Sequence, residues 1–172
     1  VARSGQIPVD YGFVGDIDGV DASVLHKQLD NGLMPVVSPL SCDSNGTVLN
    51  INADTVAAAI AAELKAEKLI LATGAPGILG DVNEPRSLIS YIDRAALKKL
   101  RDAGKLGDGM LPKAAAIESA LANGVSRVHV ISSKLADSLL LEVFTNEGTG
   151  TLIVNDIAAL TPAEQASAGA AT

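Results

Sequence analysis

The sequence predicts an α/β protein, a three-layer α/β/α arrangement around a mainly parallel sheet. Three observations point there. Helical patterns alternate with short apolar runs, as at residues 53–64 then 68–72, and 112–121 then 127–131. The chain is 48% hydrophobic but only 2% aromatic, so its core is Ala, Val, Leu and Ile, a palette suited to helices packed on strands buried on both faces. Glycines cluster just past the end of one apolar run, where open α/β sheets bind ligands.

The elements follow in order. Residues 1–10 have no periodicity and read as an irregular start; residues 11–160 read as one domain, and 161–172, rich in Ala and Gly, as a flexible tail. Residues 11–17 alternate well enough for a strand. Asp21 then caps a helix over residues 22–30, with Val24, Leu25 and Leu29 on one face and His26 beside it. The run from Met34 to Leu40, bounded by turn residues, predicts a buried strand. Asn45-Gly46 signals a turn into a short strand over residues 47–49.

Asn50-Ile51-Asn52-Ala53-Asp54 opens the alanine-rich helix that runs to about residue 64. One Asn or Asp suffices to cap a first turn. Three polar side chains at one helix mouth leave two readings open, a cap with its turn or a ligand site. Residues 68–72 predict a buried strand ending in Thr73-Gly74-Ala75-Pro76-Gly77-Ile78-Leu79-Gly80, whose small residues let backbone N–H groups approach a ligand. Residues 88–92 predict a short strand, and Asp93 caps a helix to about residue 103. In Lys105-Leu106-Gly107-Asp108-Gly109-Met110-Leu111-Pro112-Lys113, glycines precede a helix with Pro in its first turn. That helix mouth and Lys113 together favour a phosphate, although the spacing is not a Walker A loop. Residues 127–131 predict a strand with His129 on a sheet face, residues 138–144 an amphipathic helix, and residues 151–154 a last strand.

Several function classes are disfavoured. A formal charge of −7 argues against a nucleic-acid or anionic-membrane surface. No run approaches the roughly 18–20 apolar residues of a membrane span, and none reads as a signal peptide. The single Cys42 forms no internal disulfide and suits a reducing, cytoplasmic setting. Two histidines and one cysteine in unrelated places predict no metal site.

Taken in order and spacing, Asn50 to Asp54, Lys68 to Thr73, Gly77 to Leu79, Gly107 to Lys113 and Phe144 to Thr151 resemble the carboxyl-terminal half of the N-acetylglutamate kinases, in the amino-acid kinase family. The resemblance covers roughly residues 11–154. It implies that ATP, with Mg²⁺, phosphorylates the side-chain carboxylate of N-acetyl-L-glutamate in arginine biosynthesis. It implies that Asp54 and Lys113 are catalytic, Asp54 organising the catalytic lysines and Lys113 neutralising the transferring phosphoryl group. Asn50 and Asn52 would bind substrate. Thr73, Gly74, Ala75, Pro76, Gly77, Ile78 and Leu79, with Lys105, Leu106, Gly107, Asp108, Gly109 and Met110, would border the nucleotide. Many family members carry an acidic residue where this chain has Gly74. The family's other half supplies a glycine-rich phosphate loop, a second lysine and a substrate-binding arginine, so the chain is expected to work with a separate amino-terminal half or within a homo-oligomer. Two further readings stay open: a non-catalytic nucleotide-binding or interaction module on the same fold, and a kinase for a related N-acyl amino acid.

Overall fold

The computed structural model describes residues 10–84, 86–145 and 148–159; the predicted irregular start and tail, apart from Asp10, lie outside them. The elements run α1 (Ser23–Asp30), β1 (Leu40–Cys42), β2 (Val48–Asn50), α2 (Ala53–Glu63), β3 (Lys68–Thr73), β4 (Tyr91–Asp93), α3 (Arg94–Asp102), a 3₁₀ turn (Asp108–Met110), α4 (Leu111–Ala122), β5 (Arg127–Ser132), α5 (Ser138–Phe144), β6 (Thr151–Val154) and a closing 3₁₀ turn (Ile157–Ala159).

The central sheet has the order β3-β5-β6-β4. β3 runs parallel to β5 and β4 parallel to β6, while β5 and β6 are antiparallel. The sheet is therefore mainly parallel, with one reversal in its middle. Helices α2, α3 and α4 cover one face. Val128 and Val130 of β5 point into the core there, with Leu97, Ile117, Leu121 and Ala114. Each fully buried branched side chain of this size contributes roughly 1.5–3 kcal/mol. Because side chains alternate along a strand, His129 faces the other way. It is buried and its Nδ1 hydrogen-bonds to Glu142 Oε1 of α5 at 2.6 Å, which seats α5 on the opposite face and makes the third layer. Burial pushes the Glu142 carboxyl up, but hydrogen bonds from His129 and from the Thr149 and Gly150 N–H groups outweigh it and hold it below the usual value.

α2 is helical because its alanines lose no side-chain entropy there, which outweighs the β-branched Thr55, Val56 and Ile60. It ends with Lys65 in the left-handed region (φ 51), Ala66 N–H bonding back to Ala61 C=O (2.8 Å) and Lys65 N–H to Ala62 C=O (3.1 Å). α3 starts at Asp93, whose carboxylate accepts from Ala96 N–H at 2.6 Å. It closes at Gly104 (φ 67), which turns the chain toward Lys105.

Four expectations are corrected. Residues 11–17 form no strand: Val14 alone makes a bridge, to Asn50, and a tight turn at Gly12 (φ 68) breaks the ladder. The apolar run 34–40 is not buried, since Met34 is 89% and Val36 94% exposed, and only Leu40 joins a strand. Pro35 and Pro39 remove two ladder donors from that run. In α5 the apolar residues Leu139, Leu140 and Phe144 face outward while Ser138 is buried, its hydroxyl donating to Ser132 C=O. The strand expected over residues 88–92 begins at Tyr91, Leu88 forming only a bridge to Leu79.

Candidate active site

The first turns of α2 and α4 lie side by side. α2 is capped by Asn52, whose Oδ1 accepts from Asp54 N–H at 3.0 Å and Thr55 N–H at 3.2 Å. So one member of the polar trio is the cap. Its oxygen is committed to the helix, and only its amide NH₂ is left for a ligand. Asp54 sits in the same first turn, where the helix dipole favours negative charge. α4 carries Pro112 in its first turn, and Lys113 follows.

Lys113 Nζ donates to both Asp54 oxygens, at 2.8 and 2.9 Å, and each side chain is 18% exposed. Charge-assisted bonds of this kind fix a lysine's reach as well as its charge. The result is an oriented ammonium between two helix mouths, an arrangement that attracts and neutralises an anion. Asn50 is exposed at the end of β2, its backbone N–H donating to Phe13 C=O and its C=O accepting from Gly15 N–H.

A cleft of about 330 Å³ opens past the carboxyl end of β3. Thr73, Gly74, Ala75, Gly77 and Leu79 line one side, and Lys105, Leu106, Gly107, Gly109 and Met110 the other. Both predicted glycine segments thus meet around one space. Three predicted residues do not line it. Pro76 is exposed on the outside of the loop. Ile78 is fully buried in the core, because its side chain is what anchors the loop. Asp108 is exposed in the 3₁₀ turn that leads to α4.

Two residues near the cleft escaped the sequence reading, and a third, Thr151, entered it only within the Phe144 to Thr151 stretch, with no role assigned. Val82 lines the cleft from a segment that reads only as a polar loop. Lys134 follows β5; a side chain at Gly74 would start 3.7 Å from its Cε and 3.9 Å from its Nζ. Thr151 accepts a hydrogen bond from Ile78 N–H at 2.8 Å, across 73 residues of sequence. Its only signal is its place after Gly148-Thr149-Gly150.

The amino acid kinase family matches residues 1–132. The chain is 46% identical over 154 residues to the acetylglutamate kinase of Methanocaldococcus jannaschii, covering 90% of this chain and 51% of that protein. It is 46% identical over 155 residues to the acetylglutamate kinase of Myxococcus xanthus, covering 90% of this chain and 50% of that one. Among solved structures it is similar to the N-acetylglutamate synthase of Neisseria gonorrhoeae complexed with coenzyme A and L-arginine. That match has a TM-score of 0.78 and 28% identity, over 90% of this chain and 36% of the synthase. The chain spans about half the length of the curated relatives it matches. With a three-layer α/β/α fold, two glycine segments around one cleft and a lysine–aspartate pair at adjoining helix mouths, the chain belongs to the amino acid kinase family.

Proposed function

We propose that this chain supplies the nucleotide-binding half, and part of the substrate site, of a cytoplasmic acetylglutamate kinase acting in arginine biosynthesis. A side-chain carboxylate oxygen of N-acetyl-L-glutamate attacks the γ-phosphorus of ATP, the bond to the β,γ-bridging oxygen breaks, and an acyl phosphate and ADP result. The observation that carries this reading is the Lys113–Asp54 pair at the mouths of α2 and α4. The kinase names of the relatives support the reaction.

The residues divide the work as phosphoryl transfer requires, by positioning and charge stabilisation. ATP enters the cleft between the Thr73–Leu79 and Lys105–Met110 segments. Lys113 neutralises charge on the group in transit, and Asp54 holds it on target. Asn50 and the free amide of Asn52 hold the acetylglutamate. Among the described residues no cluster of three or more His, Cys, Asp or Glu side chains could hold a metal ion by itself. Mg²⁺ enters with the nucleotide, held largely by its phosphates, the usual way it is bound in kinases. The remaining groups come from a preceding half, in the same protein, a separate chain or a second copy.

The test is acyl-phosphate formation trapped as the hydroxamate, with ATP, Mg²⁺ and N-acetyl-L-glutamate. Recovery of activity when this chain is combined with the amino-terminal half of a relative supports the reading. Nucleotide binding without turnover in every combination favours a non-catalytic module, and turnover only with another N-acyl amino acid moves the substrate.

A further inference from the structure

We infer that Thr151 is a positioning residue for the nucleotide loop: its buried hydroxyl, fixed on the inner strand β6, sets where the Gly74–Leu79 wall of the cleft stands. The inference rests on the proposal that this cleft binds nucleotide.

Three observations converge. Ile78 lies between two cleft-lining residues, Gly77 and Leu79, and is held from every side. Its N–H donates to Thr151 Oγ1 at 2.8 Å, its C=O accepts from Ile89 N–H at 2.9 Å, and its side chain is fully buried. Moving Ile78 moves both of its lining neighbours. Next, the loop is pressed against Thr151 with no slack. A Cβ on Gly77 would lie 2.6 Å from Thr151 Oγ1 and 2.7 Å from Leu88 Cδ1, so only glycine permits this approach.

Third, Thr151 is fixed by contacts that do not involve the cleft. It is fully buried and pairs with Val130 in the antiparallel β5–β6 ladder. Just before it, Thr149 and Gly150 donate their N–H groups to Glu142 Oε2, at 2.7 and 3.2 Å, and a Cβ on Gly150 would collide with the Val130 carbonyl. The strand register is therefore set independently, and the loop takes its position from it. A valine would keep the shape of Thr151 but offer no acceptor, leaving the buried Ile78 N–H unpaired, a state folded proteins avoid. A serine would keep the acceptor.

The experiment compares Thr151→Val and Thr151→Ser in this chain by three readouts: titration with N-methylanthraniloyl-ATP, hydrogen exchange at the Ile78 amide, and melting temperature. Thr151→Val is expected to weaken nucleotide binding about tenfold and to speed Ile78 exchange by at least as much, relative to amides inside β3, while melting cooperatively. Thr151→Ser is expected to bind within about threefold of the parent, the net effect of a hydrogen bond that is kept. Unchanged affinity and exchange in Thr151→Val overturn the inference. So does a serine variant as weak as the valine one, since the lost methyl rather than the hydroxyl would then be responsible. If the parent chain does not bind the nucleotide, the nucleotide reading fails, and Ile78 exchange alone decides whether Thr151 anchors the loop. Should Thr151→Val not fold, Thr151→Ala takes its place, since it differs from Thr151→Ser by the hydroxyl alone and is held to the same outcomes.

Discussion

Lys113 and Asp54 are 59 residues apart in sequence, yet the lysine Nζ bonds both carboxylate oxygens across two adjoining helix mouths. Each is mostly buried, so neither charge is well screened by solvent. Replacing Asp54 by Asn removes the charge but keeps one acceptor oxygen. Thermal and urea denaturation of Asp54→Asn are expected to show a loss of about 1–3 kcal/mol, the cost of leaving a partly buried ammonium without its counter-charge. A loss within error of zero would mean that the pair does not orient Lys113.

The close approach of Gly150 to the Val130 carbonyl leaves no space for a side chain, and the obstacle is backbone. Gly150→Ala is therefore expected to destabilise the chain by about 1–3 kcal/mol or more, as overpacking does where nothing flexible can yield. A urea midpoint equal to the parent's would show that β5 and β6 are less tightly joined than the geometry gives.

Four helices end in the same left-handed cap. α1 uses Gly32, α3 Gly104 and α4 Gly124, but α2 uses Lys65, at φ 51. A Cβ at such a position is unfavourable by about 1 kcal/mol. Lys65→Gly is accordingly expected to raise stability by about 0.5–1 kcal/mol, measured by the urea midpoint. Lys65 is exposed, so no buried contact is lost in the exchange.

How much was legible divides along one physical line. α2, α3, α4, β3, β5 and β6 were read within a few residues, because caps such as Asp93, glycine stops such as Gly104 and unbroken apolar runs are local signals. The helix mouths at Asn52 and Pro112 were legible as local signals, but the pairing of Asp54 with Lys113 was not: their roles were only implied by the family resemblance, and the structure brings the two side chains together. The runs at 11–17 and 34–40 were misread because an apolar run does not specify what covers it; a buried strand and an uncovered segment have the same hydrophobicity. Ile78 was expected at the nucleotide only as part of the Thr73 to Leu79 stretch that the resemblance implies, whereas its side chain turns into the core. Thr151 reaches the loop through a contact 73 residues away in sequence, which no local pattern encodes, and Val82 lines the cleft from a segment that reads only as a polar loop.

Glu142 ties His129 of β5 to the Thr149–Gly150 segment. Its carboxyl, pushed up by burial but pulled down further by these hydrogen bonds, titrates below its ordinary value of 4.5. A depressed carboxyl stabilises the fold fully above the unfolded-state value and loses that stabilisation as pH falls through the folded-state value. Melting temperature is therefore expected to drop as pH falls below the ordinary 4.5, and less steeply in Glu142→Gln than in the parent. Parallel curves for the two proteins would assign the acid sensitivity to other carboxylates.

The most direct measurement is turnover by Lys113→Ala in an enzyme assembled from this chain and an amino-terminal half, read as hydroxamate formation beside the variant's melting temperature. A lysine that neutralises the transferring phosphoryl group should cost about 10²–10³ in kcat when removed. The melting temperature should fall by only a few degrees, about 2–4 °C for each kcal/mol in a chain of this size. An unchanged kcat, or a loss of activity that only tracks the loss of folded protein, would contradict a catalytic role for the Asp54–Lys113 pair.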